Sequence, residues 1–183
     1  APITMSSGPL PSSTRVVSAA VVAAMRALLE PPAVALDNAL TIRRAEALSV
    51  TDDLTRLYNS RYLNQVLRRE TKRASRSGRP LSLLFIDLDG FKQVNDRHGH
   101  LAGSKALVEA AGVIRMCARE TDVVARFGGD EFSVILPDTG REGAVAVAER
   151  IRDRIRAFIF LAADRQDMRL TASIGVATLP DAA

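Results

Sequence analysis

A Gly-Gly pair set between two short apolar runs, residues 122–127 (DVVARF) and 132–136 (FSVIL), constrains this chain more than any other feature. Two Val- and Phe-bearing segments this close together predict an antiparallel hairpin, and Gly128 and Gly129 supply the positive φ that a tight turn needs. Glycine there also lets a bulky polyanion approach the backbone without meeting a Cβ. Two acids, Asp130 and Glu131, follow at once. Neighbours on extended chain point to opposite faces, so these two are expected to play different roles rather than hold one metal identically. The plainer alternative is a polar hairpin tip with solvated acids.

Upstream, residues 81–89 (LSLLFIDLD) form a near-continuous apolar run that ends in two carboxylates. This predicts a buried central strand with acids at its end. An isolated ionised carboxylate is costly to desolvate, and a divalent cation is one of the few partners that offsets the cost. Asp87 from a strand and Asp130 from a hairpin make an oxygen-only donor set suited to magnesium carrying phosphates.

The remaining order reads as helix 60–77, strand 81–88, short helix 90–97, helix 101–118, strands 122–127 and 132–136, helix 140–160 and strand 170–178. Thr139, Gly140, Arg141 and Glu142 match a capping box at the start of the last helix. Alternating strands and helices around one hairpin predict an α/β fold, helices flanking a mixed central β-sheet. With 183 residues, 47% apolar and 25% charged, the chain has the composition of a soluble domain with one core. Its formal charge of +4 is mild, and the basic cluster Arg68, Arg69, Lys72, Arg73, Arg76 and Arg79 reads most simply as a solvated helix face. Aromatics do not interleave with that cluster, which argues against DNA or RNA as a partner. The single Cys117 excludes an internal disulfide and fits a reducing, cytoplasmic setting.

Residues 1–50 differ in character. The first 14 are rich in Pro, Ser and Gly and predict a flexible start. An Ala/Val-rich helical leader follows, too short and too charged for a membrane span and without a cleavage site. Leu36, Leu40, Ala47 and Val50 form a stripe that either pairs with its copy in a homodimer or packs on its own domain. The expected boundary with the main domain, residues 51–183, is at Thr51.

Four segments in order, residues 51–59 (TDDLTRLYN), 85–96 (FIDLDGFKQVND), 126–132 (RFGGDEF) and 173–177 (SIGVA), resemble the GGDEF domain of diguanylate cyclases, which condense two nucleoside triphosphates into a cyclic dinucleotide. The likeness spans residues 51–178. It implies a palm similar to that of nucleotide cyclases and polymerases, Mg2+ (or Mn2+) as cofactor, and a homodimer in which two triphosphates face each other. By the same resemblance Asp87, the Leu88 carbonyl and Asp130 match the metal ligands, and Glu131 the acid beside the attacking ribose hydroxyl. Lys92 matches a phosphate contact, and Gly128 and Gly129 the turn that admits the phosphates. His100 lies either near the nucleotide or in a structural position. Arg119 and Asp122 match an RxxD product-inhibition site, for which a surface salt bridge is the alternative. Such domains usually continue into a further helix bearing Lys and Arg, whereas this sequence stops at Ala183; either that helix is cut off or catalysis is weakened.

Asn95 and Ser104 match the pair that reads the base edge, and here the chain departs from the commoner Asp at the second position. A carboxylate only accepts hydrogen bonds, which suits the N1 and exocyclic donors of guanine and opposes the acceptor N1 of adenine. A serine hydroxyl serves either base. Losing a charge-assisted bond forfeits roughly 1.5–3 kcal/mol of guanine preference. The promiscuous Hypr branch resembles this chain in carrying Ser there and makes cyclic GMP-AMP. The expected activity is thus condensation of GTP and ATP, with cyclic di-GMP as co-product. A GTP-specific cyclase and a catalytically weak nucleotide-binding module are the alternatives.

Overall fold

Strand β2 (Leu81–Leu88) organises the domain. Leu84, Ile86 and Leu88 alternate along it and are at most 1% exposed, whereas Phe85 and Asp87 between them are open to solvent. Each such side chain contributes about 1.5–3 kcal/mol on burial, and a one-residue slip would move all three to the wrong face. The apolar alternation therefore fixes the register, and the register in turn leaves Asp87 exposed on the face opposite the main core.

The computed structural model describes residues 49–164 and 167–180. Around β2 stand β1 (Tyr58–Asn59), α1 (Ser60–Ser77), α2 (Phe91–Cys117), β3 (Val123–Gly128), β4 (Glu131–Pro137), α3 (Arg141–Ala157) and β5 (Ala172–Leu179). The sheet order is β1-β3-β4-β2-β5. Only β1 and β3 run parallel; the other pairs are antiparallel. The expected mixed sheet flanked by helices is what the chain forms. On one face, Leu84, Ile86, Leu88, Phe132, Val134 and Leu136 pack in the main core with α2 and α3. On the other, α1 buries Leu63, Val66 and Ala74 against Ala125 and Ile135.

Helix α1 and strand β2 have the expected bounds. Asn59 caps α1 by accepting from the Tyr62 amide at 2.9 Å, and Gly78, at φ +68°, ends it. The two helices expected over 90–97 and 101–118 form one element bent at Gly99 (φ +81°, ψ 159°), a non-helical residue between two arms. The capping box expected at residues 139–142 is not formed. Gly140 is the N-cap without a side-chain bond, because the buried Thr139 spends its hydroxyl on the Pro137 carbonyl at 3.0 Å. That helix ends at Ala157, short of the expected residue 160.

The leader stripe at Leu36, Leu40 and Ala47 lies outside the described residues. Among the described residues no helix is long and apolar enough to cross a membrane.

Candidate active site

The hairpin differs in detail from the Gly-Gly turn read in the sequence. Strand β3 continues through Gly128, which pairs with Glu131, so the turn itself is Gly129-Asp130, and of the two glycines Gly129 alone takes positive φ, +52°. The register shifts between Arg126 and Gly128, and Phe127 in that gap meets Phe85 edge-on with ring centroids 5.3 Å apart. Phe127 reaches Phe85 across Ser133, the residue of β4 paired with both Phe85 and Ala125.

The two acids take different places, Asp130 in the turn and Glu131 at the start of β4. Glu131 is in register with Asp87 on the sheet face opposite the main core, beyond the part of it that α1 covers. Asp130 instead lines a cleft with the start of α2, and its carbonyl accepts from the Leu88 amide at 3.4 Å. Asp87, Leu88, Asp130 and Glu131 are thus brought together at one end of the sheet.

Arg126 holds the turn in place. Its Nε and Nη2 donate to the Gly129 carbonyl at 2.9 and 2.7 Å, while Nη1 reaches both oxygens of Asp52 at 3.3 and 3.2 Å. Asp52 is itself fixed, since Oδ1 accepts from the Thr55 amide at 2.8 Å and the Thr55 hydroxyl at 2.7 Å. Burial pushes the Asp52 carboxyl upward, but the Thr55 hydroxyl and amide and the Arg126 charge outweigh it and hold the group below its ordinary value. Reading the sequence gave Arg126 no role. The available signal was a fork of donors placed just before a turn whose carbonyls need partners.

The cleft has a volume of about 310 Å3. Lys92 and Asn95 come from the first arm of α2, His100 and Ser104 from the second, and Gly129 and Asp130 from the hairpin. The bend at Gly99 is what lets the two arms face a common space. Leu54, Phe91 and Leu107 provide apolar wall. Among the described residues, the side chains of Lys92, Asn95, His100, Ser104 and Asp130 enter no hydrogen bond or ion pair. Convergent unpaired polar groups beside an apolar wall are the usual form of a small-molecule site. Gly103 was also missed in the sequence: a Cβ there would collide with Asn95 Oδ1 and crowd Phe91, so this glycine lets Asn95 lie in the cleft.

The carboxylates divide by their partners. Asp87 and Glu131, like Asp130, have no side-chain bond among the described residues. Asp89 accepts from the Thr171 and Ser173 hydroxyls at 2.6 and 2.7 Å. Those two hydroxyls, Thr171 foremost, hold its carboxyl below the ordinary value. No group of three or more His, Cys, Asp or Glu suited to a metal occurs among the described residues. The residues expected to hold a metal, Asp87, Asp130 and the Leu88 carbonyl, offer two unpaired carboxylates and a backbone carbonyl, all oxygen. This set fits Mg2+, which binds through one or two carboxylates and completes its shell with water and substrate phosphate.

Arg119 and Asp122 lie apart from this cleft, at the turn between α2 and β3. Asp122 is 4% exposed and accepts from the Arg119 amide at 2.7 Å, while the Arg119 side chain is exposed. Nearby, Arg150 Nη2 ties down the end of α2 through the Cys117 carbonyl at 2.8 Å.

Residues 49–183 match the family described as "Diguanylate cyclase, GGDEF domain". The chain is 44% identical over 130 residues to the response regulator PleD of Caulobacter vibrioides, covering 70% of this chain and 29% of PleD. It is 40% identical over 126 residues to the diguanylate cyclase DosC of Escherichia coli, covering 69% of this chain and 27% of DosC. It therefore spans under a third of the length of these curated relatives. The solved structure of the diguanylate cyclase SiaD of Pseudomonas aeruginosa, in complex with its activator SiaC, is similar with a TM-score of 0.69 and 35% identity, over 90% of this chain and 65% of that one. The GGDEF domain of DgcB of Caulobacter crescentus, in complex with c-di-GMP, gives 0.68 and 30%, over 71% and 77%. This chain belongs to the diguanylate cyclase GGDEF-domain family.

Proposed function

We propose that this domain is a diguanylate cyclase that condenses two GTP into cyclic di-GMP and releases two pyrophosphates. The observation that carries the reading is the single cleft that gathers Lys92, Asn95 and Ser104 of α2 with Asp130 of the hairpin, beside Asp87 and Glu131. The cyclase named among its relatives, DosC, supports the same product.

Each residue then has a task. Asn95 and Ser104 hydrogen-bond the edge of a base lying against Leu54 and Leu107. Lys92 meets the phosphates near the turn at Gly128 and Gly129. Asp87, Asp130 and the Leu88 carbonyl would hold Mg2+ (or Mn2+), which when bound neutralises the triphosphate and polarises the α-phosphate. Glu131 accepts the proton of the attacking 3′-hydroxyl as its oxygen bonds to the α-phosphorus and the bond to pyrophosphate breaks. One cleft takes one triphosphate and the product contains two nucleotides, so two copies of the domain face each other as a homodimer. Dependence on GTP assigns the domain to the cytoplasm. Arg119, fixed by Asp122 and open to solvent, offers a bidentate donor to a returning product as an inhibition site.

A second reading rests on Ser104. Its hydroxyl in the cleft accepts or donates, which admits ATP beside GTP and makes cyclic GMP-AMP, as in the Hypr branch. Incubating the protein with Mg2+ and GTP, ATP or both, and identifying the products, decides between them. Cyclic di-GMP alone from the mixture supports the first reading, and cyclic GMP-AMP supports the second. Nucleotide binding with no product would leave a binding module and sink both.

Gly103→Ala tests the base-reading position. Displacing Asn95 removes a neutral hydrogen bond of about 0.5–1.5 kcal/mol, so KM for GTP is expected to rise roughly 3- to 10-fold with kcat nearly unchanged. A fall in kcat at constant KM would contradict this placement.

A further inference from the structure

Asp87, Asp89, Asp130 and Glu131 lie towards one end of the sheet, and their bonding separates Asp89 from the rest. Each of its two oxygens accepts a hydroxyl proton, from Thr171 at 2.6 Å and from Ser173 at 2.7 Å. These are charge-assisted distances. Its amide also donates to the Thr171 carbonyl at 2.9 Å, which makes a three-point attachment of residue 89 to β5 and the residue before it.

Pairing of Leu88 with Ala172 and the buried side chains of Leu88 and Phe91 hold the chain on either side of Asp89, and the three bonds of residue 89 fix the turn between them. Gly90 follows in the left-handed conformation, φ +69°, and begins α2 with no side-chain cap. On the other side the Leu88 amide makes a long contact, 3.4 Å, with the Asp130 carbonyl. The Thr171 side of the attachment is anchored in its turn, because α2 grips the preceding segment. Glu109 Oε2 accepts from the Leu161 amide at 2.8 Å, and Lys105 pairs with Asp164 at 2.8 Å.

We propose that Asp89 is a positioning residue rather than a further metal ligand: clamped by the Thr171 and Ser173 hydroxyls, it sets the strand end carrying Asp87 and Leu88 against the first turn of α2 carrying Lys92. The catalytic part of this inference rests on the cyclase reading above. Misplacing catalytic groups by about 1 Å costs on the order of 100-fold in rate, so loosening this junction acts on kcat before it acts on binding.

The experiment compares Asp89→Asn, the pair Thr171→Val with Ser173→Ala, and all three together, each beside the wild type. Asn keeps the size but accepts from only one of the hydroxyls. The pair leaves the carboxylate intact and removes its partners. Expected is a kcat loss of about 10- to 100-fold in each case, KM for GTP within about threefold, no recovery at raised Mg2+, and a triple variant no worse than Asp89→Asn, as members of one network behave. Amide hydrogen exchange should accelerate at residues 88–92 in each variant, a readout that stands even if the wild type makes no cyclic product. Recovery of Asp89→Asn by Mg2+, with the hydroxyl pair variant fully active, would make Asp89 a ligand and overturn the proposal. Exchange that is unchanged at 88–92, or raised uniformly across the sheet, would overturn it equally. An inactive wild type would instead refute the cyclase reading and leave the exchange test to decide on Asp89.

Discussion

Glu131→Gln is expected to lower kcat by about two to four orders of magnitude, the range for removing a positioned general base, while GTP affinity stays within about threefold. Glutamine has the shape of glutamate and still accepts a hydrogen bond, but it takes up no proton at neutral pH. Glu131 is well placed for that proton. It opens β4 directly opposite Asp87, and its side chain makes no bond among the described residues, so no structural partner is lost with the charge. Its backbone pairing with Asp87 and Gly128 does not depend on the side chain, and the hairpin should survive. Product formation under saturating GTP, set beside binding of a non-hydrolysable GTP analogue, separates the two effects. A variant within tenfold of wild-type kcat would assign the proton to another acceptor, and one that binds no analogue would make Glu131 a binding group. The contrast with Gly103→Ala is diagnostic, because that change acts through Asn95 on recognition and should move KM instead.

The elements that were legible in the sequence are those whose determinants are local. Residues 60–77 and 81–88 emerged with their observed bounds because the helix has an Asn at one end and a Gly at the other, and because strand alternation follows from side-chain burial. The different placement of Asp130 and Glu131 was expected from side-chain alternation on extended chain, but it arises because Asp130 lies in the turn and Glu131 opens the strand. Local rules failed where a residue had a more distant competitor. Thr139 looks like a cap in its own tetrapeptide, yet it is buried with its carbonyl accepting from the Ser82 hydroxyl at 2.8 Å and its own hydroxyl turned to Pro137. Gly128 and Gly129 are alike in sequence; the pairing of Gly128 with Glu131 makes it strand and leaves the turn to Gly129. What stayed hidden was long-range. Arg126 finds Asp52 across 74 positions, and Asp89 finds Thr171 and Ser173 across 82 and 84. No periodicity or turn signal encodes such pairs. The base-reading role proposed for Asn95 and Ser104 rests on family resemblance, since an Asn and a Ser nine positions apart on a helical stretch carry no chemical signature of base reading.

Ser104→Asp should raise the preference for GTP over ATP by about one to two powers of ten, the equivalent of a charge-assisted bond worth roughly 1.5–3 kcal/mol. The position is half-buried in the second arm of α2 and lines the same cleft as Asn95 and the Gly129-Asp130 turn. A carboxylate there accepts from the N1–H and exocyclic amine of guanine and repels the lone pair on N1 of adenine, so discrimination comes from an added attraction and an added repulsion together. Lys92 and Arg126 also line the cleft and offset the added negative charge beside Asp130. Discrimination is read as the ratio of kcat/KM for the two triphosphates in competition where the wild type incorporates ATP, and as the ratio of their binding constants where it makes cyclic di-GMP alone. If that ratio is unchanged by the substitution, Ser104 does not face the base edge, and the selectivity of this cleft must come from Asn95 and the shape of its apolar wall.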